Sequence, residues 1–498
     1  MVKRAVYSQI EQIILLDESV IGSRCRENMI REAVEKGQCY IIEAGEAVAA
    51  FGILSRHFYD NYFIELLIVG EVYRRIGYGR MMLGFFKELC RPDKLFTSTN
   101  NSNLPMQKLL ERCSFVRCGW IDCLDEGDPE VIYCFEKNQG NSDPLHEIRS
   151  FNRDIAAESD FSGAVHFSQP GKAAVEEAFG YANRGWNVQN NTLTRFNTTS
   201  ISKIFTACGI VKLVEQGALG INDRLCDYLQ FDNNPFSENI TLYHLLTHTS
   251  GIADDADEEA GENYEDIFIN KPNYRFRKAS DLVENFIGKK PVFDPGSSCR
   301  YNNAGYVLLG LVIEKVTGIE YTQWIMENIL IPWGLNSTFF PSMDEVNSNT
   351  AEGYISMQDG EQTIWKKNIY SITPVGTPEG GIYSNAADLS HMMRGLVDGK
   401  YFAHEYTQML LTPKALHTDY GNIQHMMGFG FEFIMEGERI VYFKKDGSNP
   451  GVSAVMVYYP DSGTSLVILS NQNCNVWDMH HKIDEKFGLS KDKGRGRV

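Results

Sequence analysis

The sequence contains no apolar run long enough to cross a membrane or to form the core of a secretion signal. Near the N-terminus, the apolar residues are interrupted by polar and charged ones: Gln9, Glu11, Gln12, Asp17 and Glu18. A transmembrane helix needs about 20 consecutive, mainly apolar residues, and a signal peptide needs an uninterrupted apolar core. The sequence therefore predicts a cytoplasmic protein that has no membrane partner.

Positive charge is scarce, and the cysteines lack the spacing of metal ligands. Lys and Arg number 47 against 65 Asp and Glu, so the formal net charge is −18. A surface this acidic repels phosphate backbones, which argues against nucleic acid as a partner. The 11 cysteines include no C-x-x-C pair. They are expected to be reduced thiols, and no metal site is predicted.

The chain has 498 residues, which is too long for one ordinary hydrophobic core. Helical and strand patterns alternate over residues 1–137, and the nearly continuous apolar run at 63–69 is typical of a buried strand. A polar segment with Gly and Pro follows. We predict two domains of mixed α and β structure, at residues 1–137 and 145–498, joined by a linker at residues 138–144.

The second domain contains an S-x-x-K motif, formed by Ser200 and Lys203. On a helix, residues three apart lie on one face, so the two side chains would be neighbours. A serine hydroxyl is a weak nucleophile, and an adjacent lysine with a depressed pKa can activate it. The motif predicts a serine nucleophile. A second S-x-x-K, at Ser490, lies in a charged tail and is interpreted as accidental.

Four further blocks accompany this motif in a fixed order between residues 145 and about 485. The five blocks are FNTTSISKIFTA at 196–207, LLTHTSGI at 245–252, FDPG and YNNAGY within 293–306, GGIYS at 380–384, and KDGS and PG within 445–451. Together they resemble the β-lactamase-related serine hydrolases, which include penicillin-binding proteins, class C β-lactamases and family VIII esterases. The resemblance implies an antiparallel sheet flanked by helices, plus an all-helical part.

The resemblance also assigns roles to the residues of these blocks. Ser200 would attack an ester or amide carbonyl and form an acyl-enzyme. Lys203 and Tyr301 would share the proton transfers, and the sequence leaves open which of the two is the base. Tyr301 is chosen among five Y-x-N matches because it has both the preceding Pro-Gly and a following helical pattern. Asn303 would orient Lys203 and the substrate amide.

The K-x-G block completes this predicted site. Lys445 would supply positive charge near a substrate carboxylate or near Tyr301. Gly447 and Ser448 follow it on the predicted strand. The backbone N–H groups of Ser448 and Ser200 would form the oxyanion hole.

Two other features near these blocks invite a functional interpretation. His248 is a possible base, but by the resemblance the turn that contains it is structural. The run from Asp254 to Asp266 carries eight carboxylates. A solvated loop is the expected structure for it, and the alternative is a rim of the active site that attracts cationic substrates.

In the first domain, a glycine-containing segment follows the apolar strand and opens a predicted helix at Met81–Leu89. Its glycines would let backbone N–H groups approach a pyrophosphate, and the helix N-terminus favours negative charge. This R-x-x-G-x-G pattern resembles motif A of the GNAT-type N-acetyltransferases, which implies binding of acetyl-CoA or another acyl-CoA. The residues expected to bind it are Val69, Arg74, Arg75, Ile76, Gly77, Tyr78, Gly79, Arg80 and Asn103.

The first domain also departs from that family. Leu110 stands where many members place a tyrosine, the usual acid for the departing thiolate, and Met106 and Ser114 replace the common Ala and Gly. Glu65 is the best candidate base for an acceptor amine. The alternative interpretation of Glu65 is a strand-edge carboxylate without a catalytic role.

The sequence as a whole predicts a bifunctional enzyme that acts on small molecules. The C-terminal domain would cleave an ester, amide or D-peptide bond, and the N-terminal domain would acylate an amine. One alternative is a true β-lactamase or DD-peptidase. The other is a ligand sensor without turnover, in which the GNAT domain is vestigial. The sequence does not specify the substrates or the oligomeric state.

Overall fold

The computed structural model describes residues 2–45, 47–90, 94–122, 124, 127–135, 144–231, 236–360 and 362–490. The chain forms two compact units, Met1–Asp143 and Pro144–Val498. The predicted linker, residues 138–144, lies outside the described residues except for Pro144, which is the first residue of a helix. None of the helices in the described ranges is long and apolar enough to cross a membrane.

The N-terminal unit is built on a seven-stranded sheet with the strand order β1-β2-β3-β4-β5-β7-β6. Its strands are β1 (Val2–Arg4), β2 (Cys39–Ala44), β3 (Ala47–Phe58), β4 (Asn61–Val69), β5 (Leu95–Asn100), β6 (Val116–Ile121) and β7 (Glu130–Phe135). The pair β4–β5 is parallel and the other pairs are antiparallel. The predicted buried strand at 63–69 is confirmed as part of β4.

Four α-helices in the described part of this unit cover the two faces of the sheet. They are α1 (Ile10–Ile21), α2 (Glu27–Glu35), α3 (Tyr78–Leu89) and α4 (Leu104–Arg112). Alternate residues of β2 point to opposite faces, as the period of two requires. Ile41 packs in the core cluster of α1 and α2, whereas Ile42 packs in the cluster of α3.

The C-terminal unit contains an eight-stranded antiparallel sheet with the order β16-β17-β18-β19-β20-β21-β8-β9. The strands of this unit are β8 (Gly163–Ser168), β9 (Val175–Phe179), β10 (Tyr181–Asn183), β11 (Val188–Gln189), β12 (Phe196–Asn197), β13 (Tyr354–Asp359), β14 (Gln362–Lys367), β15 (Tyr383–Ser384), β16 (Ala415–Asp419), β17 (Ile423–Met427), β18 (Glu432–Glu436), β19 (Arg439–Asn449), β20 (Val452–Tyr459) and β21 (Thr464–Ser470). Three two-stranded sheets, β10-β11, β12-β15 and β13-β14, accompany it.

The helices of this unit lie against the sheet and against one another. They are α5 (Pro144–Glu158), α6 (Ser202–Glu215), α7 (Leu225–Tyr228), α8 (Leu242–Leu246), α9 (Ile267–Asn270), α10 (Ala279–Leu282), α11 (Ala304–Thr317), α12 (Tyr321–Ile325), α13 (Ala386–Val397), α14 (His404–Leu410) and α15 (Val476–Phe487). Apolar residues of α5 and α15 share one core cluster with the sheet, and those of α6 and α11 belong to another. Because α6 and α11 are apolar on nearly all sides, they are buried at the centre of the unit.

Candidate functional site

Ser200 lies in a 3₁₀ turn, Thr199–Ile201, immediately before α6. The S-x-x-K spacing predicts Ser200 on the helix itself; the structure places it in the turn just before α6. Thr199 is buried and has a φ of 50°, in the left-handed region that non-glycine residues rarely adopt. Two hydrogen bonds hold this strained residue: its N–H donates to Asn197 Oδ1 (2.8 Å), and its carbonyl accepts from Ser202 Oγ (2.7 Å). These contacts hold Thr199 in its strained conformation and so position the adjacent serine.

Lys203, the second residue of α6, reaches back to the serine. Its Nζ lies 3.1 Å from Ser200 Oγ and donates to Asn303 Oδ1 and to the Glu379 carbonyl, both at 2.7 Å. The side chain is fully buried. Burial, reinforced by the positive charge of Lys445, lowers the pKa of Lys203 to about 8. An amine with that pKa is partly neutral near neutral pH and can accept a proton.

Tyr301 contacts the same serine oxygen. Its hydroxyl donates to Ser200 Oγ at 2.8 Å. The ring centre lies 5.0 Å from Lys203 Nζ and 4.6 Å from Lys445 Nζ. Burial, together with the negative charge of Glu258, raises the pKa of Tyr301 well above its usual value, so the phenol keeps its proton.

Asn303 is held by Asp254, which was not predicted from the sequence as a site residue. Asp254 accepts hydrogen bonds from the backbone N–H groups of Asn303 (2.9 Å) and Ala304 (2.8 Å) and from Asn303 Nδ2 (3.3 Å). Asn303 Nδ2 also donates to Glu258 Oε1 at 3.2 Å. Asp254 therefore satisfies the first N–H groups of α11 and orients the amide that contacts Lys203.

Lys445, on β19, is buried and paired. Its Nζ lies 2.6 Å from Glu432 Oε1, on the neighbouring strand β18. Burial alone would raise the pKa of Glu432, but the charges of Lys445 and Lys444 hold it well below its usual value. Glu432 therefore carries its negative charge beside Lys445, and it was not identified from the sequence.

Gly447 lets β19 pack against the nucleophile turn, which is the 3₁₀ turn Thr199–Ile201. A Cβ atom at this position would overlap Thr199 Oγ1 and lie 2.5 Å from the Ser200 backbone nitrogen. Ser448 follows directly and faces Ser453 across β19–β20. The backbone at Gly447 and Ser448 thus lies beside the Ser200 N–H, where an oxyanion hole requires it.

His248 has a structural position, as the sequence analysis expected. Its φ is 59°, its ring stacks on Tyr301 at 4.8 Å between centres, and its Nδ1 accepts from the Asn302 N–H at 3.0 Å. Burial lowers the pKa of His248 well below its usual value, so it is neutral. The expectation of a solvated loop at residues 254–266 is wrong for Asp254 and Asp255, which are both 6% exposed.

In the N-terminal unit, the predicted cofactor residues form an open backbone loop at the start of α3. Gly77 has a φ of 100° with no atom within 4 Å of a would-be Cβ, and Arg75 has a φ of 64°. A Cβ at Gly79 would lie 2.9 Å from Leu109 Cδ2, so this glycine lets α3 approach α4. The N–H groups at the start of α3 are available to an anion such as a pyrophosphate.

The adjacent strands diverge beside this loop. β4 pairs with β5 only over Tyr62–Ile64, although both strands continue further. Val69 ends β4, and its carbonyl accepts from Arg74 Nε at 3.3 Å. Glu65, immediately after the last pair, lies 3.4 Å from His57 Nδ1. β4 is an interior strand of the sheet, but its pairing with β5 has ended before Glu65, so both interpretations of Glu65, as a base and as a strand-edge carboxylate, stay predictions.

The other N-terminal predictions have these outcomes. Ile76 and Arg80 are exposed and Tyr78 is half-buried. Asn103 caps α4, where its side chain accepts from the Met106 N–H at 3.3 Å, so its side chain already has a local role. Leu110 is fully buried in the core. The described residues contain no group of three or more His, Cys, Asp or Glu side chains placed to hold a metal ion.

Comparisons with known proteins agree with this division of the chain. The Beta-lactamase family model matches residues 151–487, and the Acetyltransferase (GNAT) family model matches residues 8–115. Penicillin-binding protein 4* of Bacillus subtilis (strain 168) is 28% identical over 333 residues, which cover 63% of this chain and 68% of that protein. The putative penicillin-binding protein PbpX of the same strain is 27% identical over 362 residues, covering 71% and 79%.

A solved structure shows the same fold. The penicillin-binding protein from Bacillus halodurans is 33% identical, with a TM-score of 0.63, and the match covers 67% of this chain and 98% of that one. The Beta-lactamase model alone accounts for more than half of the chain. The chain therefore belongs to the β-lactamase family of serine hydrolases and penicillin-binding proteins, and it carries a GNAT region at its N-terminal end.

Proposed function

We propose that the C-terminal unit hydrolyses an ester, amide or D-peptide bond through an acyl-enzyme on Ser200. The observation that carries this proposal is the pair of contacts to Ser200 Oγ, from Lys203 Nζ at 3.1 Å and from Tyr301 OH at 2.8 Å. Acyl transfer requires a nucleophile within hydrogen-bonding reach of a base, and a third group that orients the base. Asn303 is that third group.

The residues support the following steps. Lys203, with its lowered pKa, takes the Ser200 proton as the oxygen attacks the carbonyl carbon. The N–H groups of Ser200 and Ser448 stabilise the oxyanion. Tyr301 then donates a proton to the leaving group and is reprotonated by Lys203. Water, deprotonated by the same pair, releases the acid and regenerates Ser200.

A fluorophosphonate probe tests the assignment directly. We expect covalent labelling of a single peptide containing Ser200, identified by mass spectrometry, and no labelling of Ser200→Ala. Ser490→Ala, which alters the second S-x-x-K serine, is the matched control and should label like the wild type. Undiminished labelling of Ser200→Ala would exclude the proposal. Repeated turnover of a chromogenic ester separates a hydrolase from a sensor that acylates once.

For the N-terminal unit we infer binding of acetyl-CoA or another acyl-CoA at the loop formed by residues 74–79. The positive φ angles of Arg75 and Gly77 and the start of α3 support a pyrophosphate site, and the divergence of β4 and β5 leaves room for a thioester chain beside Glu65. Transfer to an amine is the proposed reaction. Calorimetric titration of the full chain with acetyl-CoA at two temperatures tests the binding step, and the absence of heat at both temperatures would exclude it.

Both proposed reactions use small molecules as partners. Neither nucleic acid nor a membrane is part of the proposal, and a cytoplasmic location remains a prediction from the sequence. The two sites are proposed to act independently because each one is assembled from residues of its own unit.

A further inference from the structure

Lys445 has no free positive charge to offer a substrate. The family resemblance places this lysine near a substrate carboxylate or near Tyr301; here its Nζ lies 4.6 Å from the Tyr301 ring centre and 2.6 Å from Glu432, and its side chain is 3% exposed. Glu432 also contacts His425 Nε2 at 3.2 Å and Lys444 Nζ at 3.6 Å, so it is held in place from several sides. A substrate carboxylate would have to displace a buried, ionised partner, which is costly.

The cavity beside the K-x-G block is lined by more negative than positive side chains. It has a volume of about 570 Å³ and is lined on one side by Ser448, Asn449 and Pro450. Three carboxylates, Glu258, Glu262 and Glu265, line it as well, against one ammonium group, that of Lys366.

Each of these three carboxylates accepts a hydrogen bond from a protein group that is not a cation. Glu258 accepts from Asn303 Nδ2, Glu262 from the Asp257 N–H and Glu265 from Ser371 Oγ. Each of these donors is neutral. Within the described ranges, none of the three glutamates forms an ion pair within 4.0 Å.

We propose that the hydrolase site selects substrates that carry an ammonium group near the scissile carbonyl, and that it rejects substrates with a carboxylate there. The inference rests on the proposed function of Ser200. It follows from two separate observations: Lys445 is paired with Glu432, and negative side chains outnumber positive ones in the adjoining cavity. Cations are attracted and anions repelled by a cleft lined with charge of one sign. The substrate class is therefore cationic acyl esters or amides, such as those of amino acids with a free amine.

The selectivity is expected to be moderate and sensitive to salt. The three carboxylates are exposed, and exposed charges are screened over a Debye length of about 8 Å at physiological ionic strength. We expect a cationic substrate to exceed its neutral isostere in kcat/KM by about tenfold at low salt, and most of this ratio to be lost at high salt.

The test uses p-nitrophenyl esters that differ only in the charge of one group. Butanoates and hexanoates whose terminal carbon carries a trimethylammonium, a tert-butyl or a sulfonate group present a permanent cation, a neutral isostere and a permanent anion. We expect kcat/KM to fall in that order for at least one chain length. Equal or reversed values at both lengths would overturn the inference.

Substitutions locate the selectivity. Glu262→Gln combined with Glu265→Gln should reduce the ratio of cationic to neutral kcat/KM severalfold while leaving hydrolysis of the tert-butyl ester nearly unchanged. Glu405→Gln removes an exposed carboxylate in the first turn of α14 and is the matched control, because it should leave the ratio unchanged. An unchanged ratio in the double variant would also count against the inference.

Failure of the proposed function gives a different result. In that case none of the esters would be turned over, and the fluorophosphonate probe would not label Ser200. Failure of the inference alone leaves labelling and turnover of the neutral ester intact, with no preference for the cation.

Discussion

The two units differ in how much of their chemistry is built from their own side chains. In the C-terminal unit, Lys203 and Tyr301 both lie within hydrogen-bonding distance of Ser200 Oγ, and Asn303 holds Lys203. In the N-terminal unit, the loop formed by residues 74–79 offers backbone geometry, and Leu110 is buried where a tyrosine acid would stand. A backbone loop is enough to bind a phosphate group, whereas proton transfer requires positioned titratable groups. We therefore predict that the C-terminal unit turns over its substrate, and that the main property of the N-terminal unit is binding.

The largest expected effect is that of Gly447→Val in the C-terminal unit. Its Cβ would overlap Thr199 Oγ1 and displace β19 from the nucleophile turn. We expect kcat/KM for a neutral ester to fall by about a thousandfold, comparable with the loss of a catalytic group. Gly288→Ala, where a Cβ meets no atom within 4 Å, is the control and should retain wild-type activity. A Gly447→Val enzyme that is folded and fully active would show that β19 does not shape the site.

The corresponding change in the N-terminal unit is Gly77→Asp. The φ of 100° strains any L side chain, and the added carboxylate repels a pyrophosphate. We expect the affinity for acetyl-CoA, measured by calorimetry, to fall by about ten- to a hundredfold. Gly84→Ala, at an open position within α3, should bind normally. Ester hydrolysis should be unchanged in both variants, and a parallel loss of hydrolysis would contradict the independence of the two sites.

Asp254→Asn tests whether the C-terminal site depends on a positioning residue. An asparagine has one acceptor oxygen instead of two, so it cannot hold both N–H groups and the side-chain amide that Asp254 holds now. We expect kcat to fall about tenfold with little change in KM, because Asn303 loses its orientation. Asp266→Asn, at an exposed position of the same acidic run, is the control. A lower unfolding temperature with an unchanged kcat would assign Asp254 a purely structural role.

Short-range patterns explain why much of the fold was predictable. The apolar run at 63–69 and the apolar residues of 204–214 have the periods of a buried strand and a buried helix, and both form as β4 and α6. The family blocks likewise gave the fold class, which is confirmed by the family models and the solved structure.

The contacts that tune the site were not predictable in the same way. Asp254 and Glu258 belong to a run of carboxylates, and composition alone describes such a run as solvated. Their partner, Asn303, lies more than forty residues away, and only the tertiary fold brings them together. Glu432 faces β19 through a strand register that no local pattern specifies. A dense acidic run directly after the LLTHTSGI block did indicate negative charge near the site. It did not indicate which residues these carboxylates contact.

The smallest expected effect, on the pH profile, decides which residue of the C-terminal unit is the base. Burial and the positive charge of Lys445 lower the pKa of Lys203 to about 8, although the negative charge of Glu379 acts to raise it. Glu379→Gln keeps the backbone carbonyl that Lys203 contacts but removes this charge, so the pKa of Lys203 should fall. A base must be neutral to accept a proton, so kcat/KM should rise with pH through about 8 in the wild type and at lower pH in Glu379→Gln. Glu405→Gln should keep the wild-type profile. If the rise stays at the same pH in Glu379→Gln, Lys203 is not the group that titrates, and its proposed role as the base is wrong.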